Sequence, residues 1–484
     1  MARGSGGTGK STVVVLDNGA GFCKAGIGGE ADPSLVMPNC MARPRSAKKW
    51  VVGDQISEVQ DIQGIAIRRA MDRGYLINPD TEKEIWDRIF KTHLKIRPSE
   101  CSLLLVEPLF NLPAIQKSTD EIIFEEFGFQ SLYVGNAPAL THIYQAECAP
   151  DSLLAKSNCS LVVDAGFSFT HAAPVFDGFV VNHAAKRMNL GGKALTNYLK
   201  ELVSYRAWNM MDETYIMEDV KEKLCFCSID ISADLDVARR RGRSNYHQCD
   251  YVLPDGIKHK RGFVRNAEAA AAYLSKRKRL DSGLNDDGVE ETTPGEAEAR
   301  QELTITAKAG VPAKEDQQVL TLTNERFLVP EMLFHPADLG MNEAGLAECI
   351  VRAIKTCHPS LYPILYSNVL LTGGSTLFHG FKERLETELR PLVPDEFEVS
   401  VQSVDNPLLA AWKGGSLLAA SQEFQMAAVT KKENRNKSAE RSSIGISVKE
   451  NDCSSIGSSG EYLVYRPKDL GGECFLDFII GRVF

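Results

Sequence analysis

The chain has 484 residues, 43% hydrophobic and 25% charged, with a formal net charge of -9. This composition provides for two to four packed cores, excludes wholesale disorder, and argues against a protein that wraps nucleic acid with its whole surface. No apolar run reaches the roughly 18 to 20 residues of a membrane span, the start Met1-Ala2-Arg3-Gly4 has no apolar signal core, and the 12 cysteines are scattered, which reads as free thiols in a reducing compartment.

Gly4-Ser5-Gly6-Gly7-Thr8-Gly9-Lys10-Ser11 fits a phosphate-loop pattern letter for letter. That loop needs a strand before it and a helix after it. Only three residues precede it, and the β-branched run Thr12-Val13-Val14-Val15-Leu16 follows, so residues 1–12 read as a flexible leader. The run itself predicts a strand. It ends in Asp17-Asn18-Gly19-Ala20-Gly21 and returns as Phe22-Cys23-Lys24-Ala25-Gly26-Ile27. Glycines at such a tip let backbone amides approach an anion without Cβ interference. Asp17 is placed to hold a hydrated divalent cation, and Lys24 to reach a phosphate as a point charge.

The pattern recurs where Leu161-Val162-Val163 leads into Asp164-Ala165-Gly166-Phe167-Ser168 and then Phe169 to Phe176. One Asp-x-Gly turn is more often only a turn. Two such hairpins predict two related lobes clamping one phosphate chain, with Asp17 and Asp164 offering carboxylates to a magnesium ion through water. Beyond them, Leu195, Tyr198, Leu199, Leu202 and Val203 make one apolar helix stripe, and Leu346, Ile350, Ala353, Ile354 and Cys357 another. These stripes are core and carry no chemistry. Cys225, Cys227, His247 and Cys249 have zinc-ligand chemistry, but structural zinc sites usually pair cysteines as CxxC, so buried thiols are the expectation.

Arg239-Arg240-Arg241-Gly242-Arg243 is a basic run, either solvated surface or an import signal or nucleic-acid contact. An insert spans about 257–317. It opens with His259-Lys260-Arg261, continues through Lys276-Arg277-Lys278-Arg279 and turns acidic, which favours a mobile loop. Asn368-Val369-Leu370-Leu371 then runs into Thr372-Gly373-Gly374-Ser375-Thr376-Leu377-Phe378. A helix follows with Phe381, Leu385 and Leu389 on one face, and such a strand–turn–helix commonly faces a nucleotide. Residues 434–484 are polar and Ser-rich before the apolar ending Cys474-Phe475-Leu476-Asp477-Phe478-Ile479-Ile480.

Taken together these blocks resemble the actin family. Asp17–Gly26 is similar to its first phosphate loop, Asp164–Pro174 to its second, and Leu371–Phe378 to its adenosine loop. Arg43-Pro44-Arg45, Lys221-Glu222-Lys223-Leu224-Cys225, Asn324-Glu325-Arg326-Phe327 and Trp412-Lys413-Gly414-Gly415-Ser416 match in order as well. The resemblance implies the α/β fold shared by actins, heat-shock ATPases and sugar kinases: two lobes, each with a mixed sheet flanked by helices, and a nucleotide cleft between them. It implies a first lobe at 13–150 with a small subdomain at about 42–67, a second lobe at 151–409, a return to the first lobe at 410–433, and a divergent, flexible tail.

It also implies ATP or ADP with Mg, held by Asn18, Gly19, Ala20, Gly21, Phe22, Lys24, Asp164, Gly166, Phe167, Ser168, Lys221, Glu222, Gly373, Gly374, Ser375 and Phe378, with Asp17 and Asp164 on the metal. Several positions depart from the family pattern. Ala20 stands where actins carry a serine on the γ-phosphate. Ala137 stands at the glutamine that positions the attacking water, with Asn136 the nearest polar group. Phe167 replaces an aspartate, and Leu408 falls near a lysine beside the adenine. Since phosphoryl transfer rests on positioning and charge stabilisation, these losses imply a bound nucleotide with absent or very slow hydrolysis. The loop after Arg45 is about ten residues shorter than the family's filament loop, which implies no filament.

Within the family, the likeness runs to a nuclear branch of actin-related proteins. It implies a non-enzymatic subunit of a chromatin-remodelling complex that exchanges a variant histone and so affects transcription. The implied partners are the remodelling ATPase, its other subunits including a small zinc-finger protein, and histones or the nucleosome indirectly, with no membrane. The nucleus is the first compartment and the cytoplasm the second. The alternatives are an ATP-hydrolysing cytoskeletal actin-like protein and a small-molecule kinase with His142 or Asp177 as base.

The insert, about 60 residues without a sustained apolar period, far exceeds the length of ordered loops. Limited trypsin digestion should therefore cut first at 276–279; protection of that cluster while the lobes are cut would show that the insert packs.

Overall fold

The computed structural model describes residues 12–265 and 317–434. The glycine-rich leader, the 276–279 cluster with most of the insert, and the 435–484 tail lie outside the described residues. No described helix is long and apolar enough to cross a membrane.

Strand β1 (Thr12–Asn18) turns back antiparallel into β2 (Phe22–Ile27), which pairs with β3 (Leu35–Pro38). A small sheet follows, with β4 (Met41–Arg43) between β5 (Val51–Val52) and β6 (Ala66–Arg68), then the short pair β7 (Met71–Asp72) and β8 (Tyr75–Leu76). On its other side β1 runs parallel to β9 (Cys101–Glu107), β9 parallel to β10 (Ser131–Asn136).

The second lobe repeats the plan. Strand β11 (Cys159–Ala165) turns back into β12 (Thr170–Phe176), which also pairs with β13 (Phe179–Val180) and β14 (Lys186–Met188). Strand β15 (Cys249–Val252) sits between β16 (Phe263–Val264) and β17 (Val319–Leu322) in a second small sheet. Strand β11 runs parallel to β18 (Val369–Thr372), and β18 parallel to β19 (Val401–Ser403). Each large sheet is thus an antiparallel hairpin beside two parallel strands. Both hairpins end their first strand in an aspartate on the same side of the fold.

The strand sequences explain this layering. Successive side chains of a strand point to opposite faces. Val14 and Leu16 enter one core with Trp86, Phe90 and Phe129, while Val15 enters another with Leu104, Leu140 and Trp412. Both faces of β1 are covered, so the strand reads as an unbroken apolar run. In β11, Leu161 and Val163 likewise join the large second-lobe core, and Val162 packs on the other face with Val175 and Leu370. The apolar stripes 195/199/203, 346/350/353/354 and 381/385/389 are buried in that second-lobe core.

The chain passes between lobes through the helix Ala137–Cys148 and returns through the helix Ala410–Ala420, after which β20 (Val429–Thr430) joins the edge of the first sheet beside β10. The two helices cross in direct backbone contact, since a Cβ on Gly414 would lie 1.8 Å from the Leu140 carbonyl oxygen. Trp412 anchors the crossing by donating its Nε1–H to the Val15 carbonyl at 3.1 Å.

The described start of the insert does not behave as a loose loop. Residues 263–264 pair with β15, and the Asp255 carboxylate accepts the backbone N–H groups of Ile257, Lys258 and His259. Arg261 reaches the first lobe, donating to the carbonyls of Ile56 at 2.6 Å, Ser57 at 3.0 Å and Val59 at 3.1 Å. Residues 257–265 are thus held by the fold, and charge patterning, which marks polarity, cannot report these long-range carbonyl partners. Cys225, Cys227 and Cys249 are buried free thiols, and no described group of three or more ligand residues could hold a metal ion.

Gly414→Ala tests the helix crossing. In an open helix the change gains about 1 kcal/mol, whereas overpacking typically costs about 1 to 3 kcal/mol. Thermal and urea denaturation should show a lower midpoint; a raised midpoint would mean that the helices do not touch there.

Candidate nucleotide cleft

The first hairpin places Asp17 opposite Lys24 across the β1–β2 ladder, and the Lys24 ammonium donates to Asp17 Oδ2 at 3.0 Å with both side chains 10% exposed. The turn between them is tight, because a Cβ on Gly19 would lie 2.8 Å from the Phe22 carbonyl oxygen. Asn18 points inward. Its Oδ1 accepts from Asn39 and from the Trp86 indole, each at 3.3 Å, and from the Cys23 thiol at 3.2 Å, so only its peptide group is left for a ligand. Glu82 closes this buried network by accepting from Asn39, and burial raises its carboxyl to about 7.

The second hairpin pairs Asp164 with His171. Asp164 is raised to about 6, first by burial, then by the charge of Asp17, with Lys24 acting in the opposite sense. The two lobes thus bring their strand-end carboxylates within electrostatic reach of each other. Burial, and then Arg187, lower His171 to about 4, and its Nε2 has no partner. The loop after Asp164 rests on the helix Gly192–Arg206, whose first N–H groups donate to Gly166 O at 3.0 Å and, from Lys193, to Phe167 O at 2.8 Å. Gly191 is required beneath Ser168, since a Cβ there would lie 2.7 Å from Phe167 O.

The third element closes over the same carboxylate. Gly373 has φ +90°, which favours glycine, and a Cβ there would lie 2.5 Å from Ala165 O and 2.8 Å from Asp164 Oδ1. Ser375 donates to Gly166 O at 3.4 Å, and Leu408 lies 4.0 Å from where a Gly374 Cβ would stand. Gly19, Gly21, Lys24, Asp17, Asp164, Gly166, Ser168, Gly373, Gly374 and Ser375 are therefore carried by three turns around one cleft, with Phe22 at the start of β2. Phe378 is spent differently: its ring joins the second-lobe core. Lys221 is buried with its ammonium on Gly192 O at 3.1 Å and Thr196 Oγ1 at 3.0 Å, while neighbouring Glu222 is exposed.

The departures at Ala20, Ala137 and Phe167 take physical form here. Phe167 packs across the gap between hairpins, with its Cβ 3.0 Å from where a Gly21 Cβ would lie. Arg69 covers the ring at 4.3 Å, donates to Ala20 O at 3.4 Å and pairs with Glu218 at 2.8 Å. Asn136 is no free substitute for a water-positioning amide: its Oδ1 caps the helix at Ala137 by accepting the Ala139 N–H at 3.1 Å. His142 is buried and engaged by Ser160 at 2.7 Å and Asn158 at 2.8 Å, and Asp177 receives the Asn158 amide at 2.9 Å in the β12–β13 turn, so neither offers a free base to the cleft.

Arg69 was not singled out in the sequence, and no local motif marks it, because its partners lie 49 and 149 residues away. It belongs to a set of ties between lobes. Lys193 pairs with Asp72 at 2.7 Å, Arg187 donates to the Tyr75 hydroxyl at 2.7 Å, and Gly64 N–H donates to Glu213 at 2.8 Å. Gly64, Arg69, Asp72, Lys193 and Glu218 line, with Phe167, a cavity of ≈ 650 Å³ between the lobes.

The residues present fit a magnesium nucleotide at the floor of the cleft. Glycine turns leave room that a Cβ would fill, Lys24 supplies a cation, and Asp17 with Asp164 forms an acidic pair suited to a hydrated divalent ion. Bound nucleotide would supply phosphate oxygens to that ion. The chain's own groups orient it and neutralise charge: Asn136 Oδ1 is taken by its helix cap, while the His171 Nε2 beside the second hairpin keeps no hydrogen-bond partner.

The raised Asp164 sets a pH dependence. A cation must displace the proton of a group titrating near 6, so at pH 5 only about a tenth of the carboxyl is ionised. Magnesium-nucleotide affinity measured by calorimetry should weaken about tenfold from pH 7.5 to pH 5, and Asp164→Asn should flatten the profile. A profile that is already flat in the unsubstituted protein would remove Asp164 from the ion site.

Comparison with known proteins agrees with this geometry. The actin family model matches residues 8–441. The chain is 53% identical over 427 residues to actin-related protein 6 of Oryza sativa subsp. japonica, covering 88% of this chain and 96% of the relative. It is 51% identical over 428 residues to actin-related protein 6 of Arabidopsis thaliana, covering 87% and 96%. The fly protein of that name, from Drosophila melanogaster, is 35% identical over 418 residues, covering 86% and 94%. The chain belongs to the actin family, as an actin-related protein.

Proposed function

We propose that this chain is a nucleotide-binding, non-filament-forming structural subunit of a nuclear chromatin-remodelling complex that exchanges a variant histone. The observation that carries the reading is the likeness to actin-related protein 6 across nearly the whole chain, joined to a cleft that keeps its phosphate cradle and carries alanine at 20 and 137. Each lost hydroxyl or charge contact weakens a bound phosphate by about 1 to 3 kcal/mol, without removing the backbone amides. Hydrolysis suffers more, because positioning is most of that chemistry.

A bound ATP or ADP then serves the body. It ties the lobes and stabilises the state that binds it. The shortened loop between β4 and β5 supports a surface used for subunits in place of a polymer. The partners in this reading are a remodelling ATPase, a small zinc-finger subunit and, through them, histones. An ATP-hydrolysing cytoskeletal role is the second reading, favoured only by the retained Asp17, Lys24 and Asp164.

Tagged protein should enter the nucleus and co-purify with a large remodelling ATPase, and single-turnover assays should give hydrolysis orders of magnitude slower than filamentous actin. A partner set made only of cytoskeletal proteins, with turnover equal to that of actin, would sink the proposal.

A further inference from the structure

The small sheet of the first lobe carries an array of cations, of which Arg45 alone also lines the cavity between the lobes. Arg43 ends β4 and Arg68 ends β6, while Arg45, Lys48 and Lys49 lie on the loop that joins β4 to β5. All five are exposed. None has an ion-pair partner among the described residues. Charge excess does not account for this, because the chain holds 64 acidic and 55 basic residues. Neighbouring cations are paired: Arg69 with Glu218 at 2.8 Å and Arg88 with Asp54 at 2.6 Å, and Asp54 is further occupied by His93 at 3.0 Å.

Trp50 organises the array. Its half-buried ring receives the Arg43 guanidinium at 5.1 Å and the Arg68 guanidinium at 4.3 Å. Cation–π contact orients both groups and lowers the entropy lost when they bind. Two guanidiniums on one ring also repel each other. An anion that bridges them relieves that repulsion.

We propose that Arg43, Arg45, Lys48, Lys49 and Arg68 form a contact surface for the phosphate backbone of duplex nucleic acid. The surface is a loop tip and two strand ends, with β5 only two residues long. An acidic peptide would need a groove or a longer strand edge to hold it. A duplex needs neither: it is rigid, carries a charge about every 1.7 Å of its axis and releases counterions when cations approach. The binding would be independent of sequence, since no group here is arranged to read base edges. This inference stands on the array alone and does not rest on the proposed complex.

The test uses the full chain with a fluorescent duplex of mixed sequence, followed by anisotropy between 50 and 200 mM salt. Five phosphate contacts predict a slope of log affinity against log salt of about -4.5. Lys48→Ala/Lys49→Ala, both exposed loop positions, should cut that slope by about 2 and weaken binding at least tenfold at low salt. Arg239→Ala/Arg240→Ala, in the other described basic run, should change neither. No binding by the unsubstituted chain at 50 mM salt, an unchanged slope in the lysine variant, or loss only in the Arg239/Arg240 variant would each overturn the proposal. So would equal binding of poly-glutamate of matched charge, which would assign the surface to acidic polypeptide.

Discussion

Two carboxylates that repel each other set the logic of this molecule. Asp17 and Asp164 end equivalent strands of the two lobes, and each sheet delivers its aspartate to the same cleft. One lysine, Lys24, answers them, and it is already paired with Asp17 at 3.0 Å. Asp164 is left to retain its proton to about pH 6. An arrangement of two acids and one base in a partly dry site is short of one positive partner, and a hydrated divalent ion supplies it. Glycine at 19 and 373 then follows from the same constraint, because turns packed this closely around the carboxylates leave no room for a Cβ.

Closure of the two lobes does not depend on that ion alone. Arg69–Glu218, Lys193–Asp72, the Gly64–Glu213 contact and the Arg261 carbonyl clasp join the two lobes directly. Partly exposed ion pairs are individually weak, but Arg69 and Glu218 are mostly buried and Arg69 also stacks on Phe167. The same phenylalanine that removes an acidic group from the phosphate cradle thus becomes the surface on which an inter-lobe arginine rests. Chemistry given up at one position is reused as packing.

The two hairpins, the third glycine turn and the apolar helix stripes were legible in the sequence because each is written in contiguous residues, whereas the return near 410 was implied only by the resemblance to the actin family. Period-2 and period-3.6 apolar patterns report burial directly, and glycine at a strand end reports a turn. The fates of Asn18, Lys221 and Phe378 were not legible. Asn18 turns into a buried polar network, Phe378 into the second-lobe core and Lys221 onto a helix N-terminus; the Trp86 partner of Asn18 lies 68 residues away and the Thr196 partner of Lys221 25. Asn136 differs, since its Oδ1 is taken locally as the helix cap on the Ala139 N–H.

By itself, then, the sequence determined two similar strand–turn–strand units and the turns that approach an anion, since local hydrogen bonding and side-chain alternation decide such features, while the departures at Ala20 and Ala137 show only against the actin family's pattern. Only the tertiary structure decided that Phe167 and Arg69 cover the gap between the hairpins, that Arg261 ties the start of the insert to the first lobe, and that Arg43, Trp50 and Arg68 meet on one small sheet. Those outcomes depend on which segments become neighbours in space. Long-range packing assigns them, and residue spacing along the chain carries no record of it.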